Sequence, residues 1–122
     1  LNRLKGIDLA DSFVLSWSVD DTFSIVIEAS VWPESKFYFK PPNGEYTCYR
    51  KAILIFSGFS QCVGVREMSS CIATRDLDGS LDYGNIDSFK KTDNGYEISG
   101  DFGDIVVLGG DFSLTYLQIT SP

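Results

Sequence analysis

A chain of 122 residues holds one hydrophobic core and leaves no room for a second, so residues 1–122 are expected to form a single domain. Its 43% hydrophobic and 22% charged residues exclude a disordered chain, and no apolar run approaches the roughly 20 residues of a membrane helix. The formal net charge of −7, from 17 acids and 10 bases, argues against a nucleic-acid partner, and the lack of any histidine removes the commonest general base and metal ligand.

The dominant period is two. Phe13, Leu15, Trp17 and Val19 alternate with Ser12, Val14, Ser16 and Ser18, which predicts a strand with one buried face. Phe23, Ile25, Ile27, Ala29 and Val31 give a second and cleaner one, joined to the first by a tight turn at Asp20-Asp21. Trp32-Pro33 ends it, because proline cannot donate to a ladder. A loop follows over 33–45, with its strongest turn signal at Pro41-Pro42-Asn43-Gly44. Residues 46–57 return to strand, and Ala52 to Phe56 is apolar on both faces, as in a covered central strand. Ser57-Gly58 is expected to reverse the chain, so that Phe59 to Val65 pairs back as a hairpin.

Residues 66–85 have no clean period and read as a long loop. Beyond it, Ile86 to Thr92 and Tyr96 to Ser99 flank Asn94-Gly95, the strongest hairpin signal in the chain. A two-residue turn there sets Thr92 opposite Glu97 and Lys90 diagonal to it. Ile105 to Leu108 is apolar on both faces, Gly109-Gly110 is expected to turn, and Phe112 to Ile119 is the last strand, with a bulge near Tyr116. The one helix candidate is a turn or so within residues 1–11. The sum is an all-β fold, an antiparallel β-sandwich or partly open barrel of about seven to nine short strands. Phe13-Val14 and Leu117-Ile119 are candidate edge strands, through which a homodimer can form.

Charge is unevenly placed. Residues 1–75 carry eight acids and eight bases, whereas residues 76–111 carry nine acids against Lys90 and Lys91. Such asymmetry concerns partners and solubility rather than fold. Three readings of the loop at Asp76, Asp78, Asp82 and Asp87 stand side by side: a solvated turn, a calcium site, or a negative surface for a basic protein. The spacing does not fit an EF-hand, since Thr74 stands four before Asp78 and no closing Glu follows. No metal site is therefore assigned, and no cofactor.

A second constellation runs from Trp32 to Lys51, where Phe37, Tyr38, Phe39, Tyr46 and Tyr49 are interleaved with Lys36, Lys40, Arg50 and Lys51. It reads as a loop folded over one sheet with snorkelling cations, or as a groove for a peptide or small apolar ligand. A carrier built this way would line a cavity with Trp17, Trp32 and Tyr49. Catalysis finds no support: Cys48, Cys62 and Cys71 have no histidine to activate them, and neither G-x-S-x-G nor a P-loop is present. The three cysteines suit reduced thiols, with a single Cys62–Cys71 bridge as the alternative in an oxidising compartment. Leu1 to Gly6 lacks the apolar stretch of a secretory signal, which suggests a cytoplasmic chain.

Two stretches, Ile7-Asp8-Leu9-Ala10-Asp11-Ser12-Phe13-Val14 and Asp78-Gly79-Ser80-Leu81-Asp82-Tyr83-Gly84-Asn85-Ile86-Asp87-Ser88, resemble parts of small, uncharacterised bacterial β-rich proteins. Some proteins of that look are immunity proteins, which neutralise a toxin from a rival or sister cell. The resemblance carries no catalytic residue onto this chain. Together with the charge it implies a non-enzymatic binding protein whose acidic surface engages a basic protein partner. Asp76, Asp78, Asp82, Tyr83 and Asp87 are the expected contact residues, with the tyrosine as apolar anchor. Neither nucleic acid nor membrane is expected as a partner.

Overall fold

The computed structural model describes residues 2–41, 47–75 and 81–117. The predicted turn at Pro42-Asn43-Gly44, the acids Asp76 and Asp78, and the end of the last predicted strand at Ile119 lie outside these residues. Among the described residues there are eight strands: β1 (Ile7–Val19), β2 (Phe23–Val31), β3 (Cys48–Val65), β4 (Thr74–Arg75), β5 (Leu81–Asp82), β6 (Ile86–Thr92), β7 (Gly95–Gly100) and β8 (Gly103–Tyr116). Six form one antiparallel sheet in the order β1-β2-β3-β8-β7-β6, and β4 pairs with β5 apart from it. The sheet curls into a half-barrel, the all-β class that the period of two implies.

Alternation sets the inside. Phe23, Ile25, Ile27 and Ala29 of β2 are fully buried, as are Ala52, Leu54 and Phe56 of β3, which pair with Ile27, Ile25 and Phe23. Phe56 also meets Phe89, Tyr96 and Phe112, with ring centroids 5.6–5.9 Å apart, so one aromatic cluster joins both halves of the curl. A fully buried ring such as Phe56 contributes roughly 1.5–3 kcal/mol by leaving water.

Two predicted turns are not turns. β3 runs on through Ser57-Gly58 and β8 through Gly109-Gly110, and the two strands pair along their length, from Ala52↔Tyr116 to Val65↔Gly103. Gly58, Gly109 and Gly110 have φ of 72°, 77° and 75°, so both strands bend at the same level. At Gly110 a Cβ would stand 2.2 Å from the Ser57 carbonyl oxygen, which no side chain permits. Facing glycines fold the sheet over on itself where one glycine facing solvent would have turned the chain. The irregularities of this ladder fall at Phe59/Gln61 and Val63/Val65, not near Tyr116.

The β6–β7 hairpin forms as predicted, in a different register. Thr92 pairs with Gly95 and Lys90 with Glu97 directly, so Asp93-Asn94 make the turn. Gly95 is drawn into β7 because it lies against β8: a Cβ there would sit 1.9 Å from the Val107 carbonyl oxygen. At the other end of the chain the helical signal shrinks to one 3-10 turn, Asn2–Leu4, and β1 already starts at Ile7.

Candidate interaction face

Parts of the two stretches singled out by resemblance meet in space, Ser12 to Val14 against Tyr83 to Asn85. β1 loses register with β2 between Asp8 and Phe13. Buried Ser12 fills this bulge: its Oγ donates to the Asp8 carbonyl at 2.7 Å and accepts the Ser30 N–H at 2.9 Å. Against it lies the turn after β5. The Val14 N–H donates to the Gly84 carbonyl and the Tyr83 N–H to the Val14 carbonyl, both at 2.8 Å. Asn85 Nδ2 donates to the Ser12 carbonyl at 2.8 Å. Asp82 is 7% exposed, and its Oδ1 accepts the Gly84 N–H at 2.9 Å, an Asx-type turn. The Tyr83 ring stands edge-on to Trp17, centroids 5.1 Å apart. This seam joins β1 to the segment leading into β6 and occupies the backbone of Val14 on the predicted edge Phe13-Val14.

The seam shows where three of the expected contact residues lie. Asp82 is buried and committed to the turn, and half-buried Tyr83 supports Trp17 from the same turn. Asp87 is exposed at the start of β6, where the β6–β7 ladder is irregular. The structure therefore does not gather Asp82, Tyr83 and Asp87 on one open surface. The alternative set is also dispersed. Trp17 lies on the inner face opposite Ile25, and Trp32 is 44% exposed just beyond β2. Tyr49 lies on the outer face, with its ring 5.6 Å from Phe13, so Trp17 and Tyr49 do not line one cavity. Cys48, Cys62 and Cys71 are free thiols, and burial pushes the Cys62 thiol up.

Other acids do come together. The outer face of β6, β7 and β8 carries a depression of about 230 Å³ whose lining includes Ser88, Lys90, Glu97, Ser99, Asp104 and Val106. Glu97 and Asp104 are exposed on it. Ser88 and Ser99 share a hydrogen bond of 2.6 Å across it. The register extends this face onto β3: Val63 pairs with Val106 and Gln61 with Leu108. Val63 is 43% exposed, and Val106 and Leu108 are half-buried. Asp101, in the β7–β8 turn, and Asp87 stand exposed at the Asp104 end. Lys90 opposes Glu97 and is the cation among the residues lining the depression, with no ion pair between them. The result is an apolar strip beside an acidic rim. Reading Ile105 to Leu108 as apolar on both faces hid this arrangement; the acids at 97 and 104, in step with Val106 and Leu108, carried the signal.

One further acid is neutralised by the first half of the chain. Arg3 grips Asp111 through both terminal nitrogens and also donates to the Phe112 carbonyl at 2.6 Å. The Tyr96 hydroxyl and the Phe112 N–H donate to the same carboxylate at 3.0 and 2.8 Å. These donors, Arg3 foremost, hold the Asp111 carboxyl well below the usual carboxylate range. Burial, and then the bond to Asp111, push the Tyr96 phenol up.

Among the described residues no three Cys, Asp or Glu side chains converge as a metal site, and no helix is long and apolar enough to cross a membrane. Comparison with known proteins finds no matching family model, no matching curated protein and no matching solved structure.

Proposed function

We propose that this chain is a non-enzymatic binding protein that engages a basic protein partner through the outer face of β6–β8. The observation that carries the reading is the placement of Glu97 and Asp104 around one depression beside the exposed Val63 and its neighbour Val106. An apolar centre with a charged rim is the anatomy of a protein interface, and an acidic rim steers a cationic partner. An immunity-type inhibitor that caps the positively charged cleft of a toxin would use such a face, in keeping with the resemblance of the two seam stretches. The contact residues are Glu97 and Asp104 with Asp87 and Asp101 at the rim, in place of Asp82 and Tyr83.

The test is capture from the native cell with two charge-reversed baits. Glu97→Lys with Asp104→Lys reverses the proposed face. Asp20→Lys with Asp21→Lys reverses exposed acids of the β1–β2 turn and serves as control. The reading expects a basic protein held by the wild type and the control, lost by the face variant, and released by salt. Equal recovery with both variants contradicts it.

A further inference from the structure

A second surface has the opposite charge. Beyond β2 the chain from Pro33 to Pro41 runs as a strap past the N-terminal turn and the ends of β3 and β8: the Trp32 N–H donates to the Gly6 carbonyl at 2.8 Å, and the Phe37 ring stacks on Tyr116. Strap and N-terminal turn line an open cleft of about 370 Å³. Phe37 and Tyr116 form one wall, stacked with centroids 3.9 Å apart and planes at 21°. Arg3, Lys5 and Lys36 line it, with Glu34 as the acid among them. Arg3 is already bound to Asp111, so Lys5 and Lys36 are its available cations. Both are exposed and make no ion pair with another described residue, and the Lys36 Nζ stands over the Phe37 ring, 5.2 Å from its centroid.

A third positive group lies behind the wall. Arg50 projects from β3, and its Nη1 donates to the Phe37 carbonyl at 3.1 Å. Its Nε is buried with no hydrogen-bond partner. An unanswered guanidinium donor in a partly buried site keeps a positive field there that water does not fully screen. In a chain of net charge −7, the cleft thus combines two exposed cations, one of them over the Phe37 ring, a backing cation and an apolar wall of two stacked rings.

We propose that this cleft binds a small planar organic anion, its charged group between Lys5 and Lys36 and its ring on the Phe37–Tyr116 wall. The volume lies in the range of small-molecule sites, about 300–1,000 Å³. The cations would supply charge-assisted hydrogen bonds, and the wall area burial. The site is separate from the β6–β8 face and stands whether or not that face binds a protein.

The experiment is an NMR titration of the full chain with phenyl phosphate at low salt, followed at the ring protons of Phe37 and Tyr116. We expect saturable binding with Kd on the order of 0.1–1 mM. Lys5→Gln with Lys36→Gln should weaken it about tenfold or more, with an unchanged melting temperature because both side chains are exposed. Inorganic phosphate should bind about tenfold more weakly than phenyl phosphate, and Phe37→Leu should narrow that gap. Non-saturating shifts, an unchanged Kd in the lysine variant, or benzyl alcohol binding as tightly as phenyl phosphate would each overturn the proposal.

Discussion

At the seam, Asp82 is buried and spends a carboxylate oxygen on the Gly84 N–H, while the neighbouring backbone closes on Val14. On the outer face of β6–β8, Glu97 and Asp104 line an open depression beside half-buried valine and leucine. Both regions belong to the acid-rich third of the chain, and a count of charges does not tell them apart. Burial does. The seam acids and amides hold two segments of backbone together, and their removal is felt by the fold. Among the described residues the face acids make no hydrogen bond or ion pair, so on the proposed function their removal is felt by the partner rather than by the fold.

The bend on which both regions depend shows the largest effect. Gly110→Ala places a Cβ against the Ser57 carbonyl at a positive φ, and we expect a loss of about 3 kcal/mol or more, read by urea unfolding. A near-neutral result would mean that the bend does not need the facing glycines. At the seam, Ser12→Ala leaves the buried Ser30 N–H without its acceptor, at a cost of about 1–3 kcal/mol. Faster hydrogen exchange at Val14 and Tyr83 should accompany it, and exchange unchanged at those amides would contradict the seam's role in joining β1 to the segment before β6. Asp82→Ala, which gives up the Asx-type bond, should cost about 1 kcal/mol.

An exposed but committed carboxylate lies between the two cases. The folded pKa of Asp111 is depressed, so its contribution to stability is present above the unfolded value of about 3.9 and fades as pH falls from there through the folded value. Removing the main cause with Arg3→Gln should flatten the loss of stability below about pH 4, measured by denaturant unfolding across pH. An unchanged acid limb would contradict the pairing. The smallest effect is on the face: Glu97→Gln with Asp104→Asn should leave stability within about 0.5 kcal/mol. A larger loss would make these acids structural and erase the contrast with the seam.

Much of this was written in local pattern. Strict alternation in Phe23 to Val31 named the buried face of β2, and Trp32-Pro33 marked its end. The Asp20-Asp21 turn and the β6–β7 hairpin followed from turn chemistry, although the latter's register slipped because Gly95 answers to β8 rather than to its own turn. Gly58 and Gly109-Gly110 read as turns because a glycine at positive φ looks the same along the chain whether it reverses a strand or bends two strands together. Only the strand opposite decides. The same holds at the seam. Nothing along the chain from Asp82 to Asn85 shows that its partner is the bulge at Ser12, so the turn read as exposed acid. The face was missed for the complementary reason: Asp104 and Glu97 join one surface only through the β7–β8 register, with Ser99 opposite Asp104 and Val106 opposite Glu97.

The most direct measurement is the association rate of the captured basic protein with wild type, the Glu97→Lys/Asp104→Lys variant and the Asp20→Lys/Asp21→Lys control, by stopped flow at low and high salt. Steering by the β6–β8 face predicts a wild-type rate that falls steeply with salt, a control that follows it, and a face variant slower at low salt with little salt dependence left. A face variant that associates as fast as wild type at low salt would contradict the account.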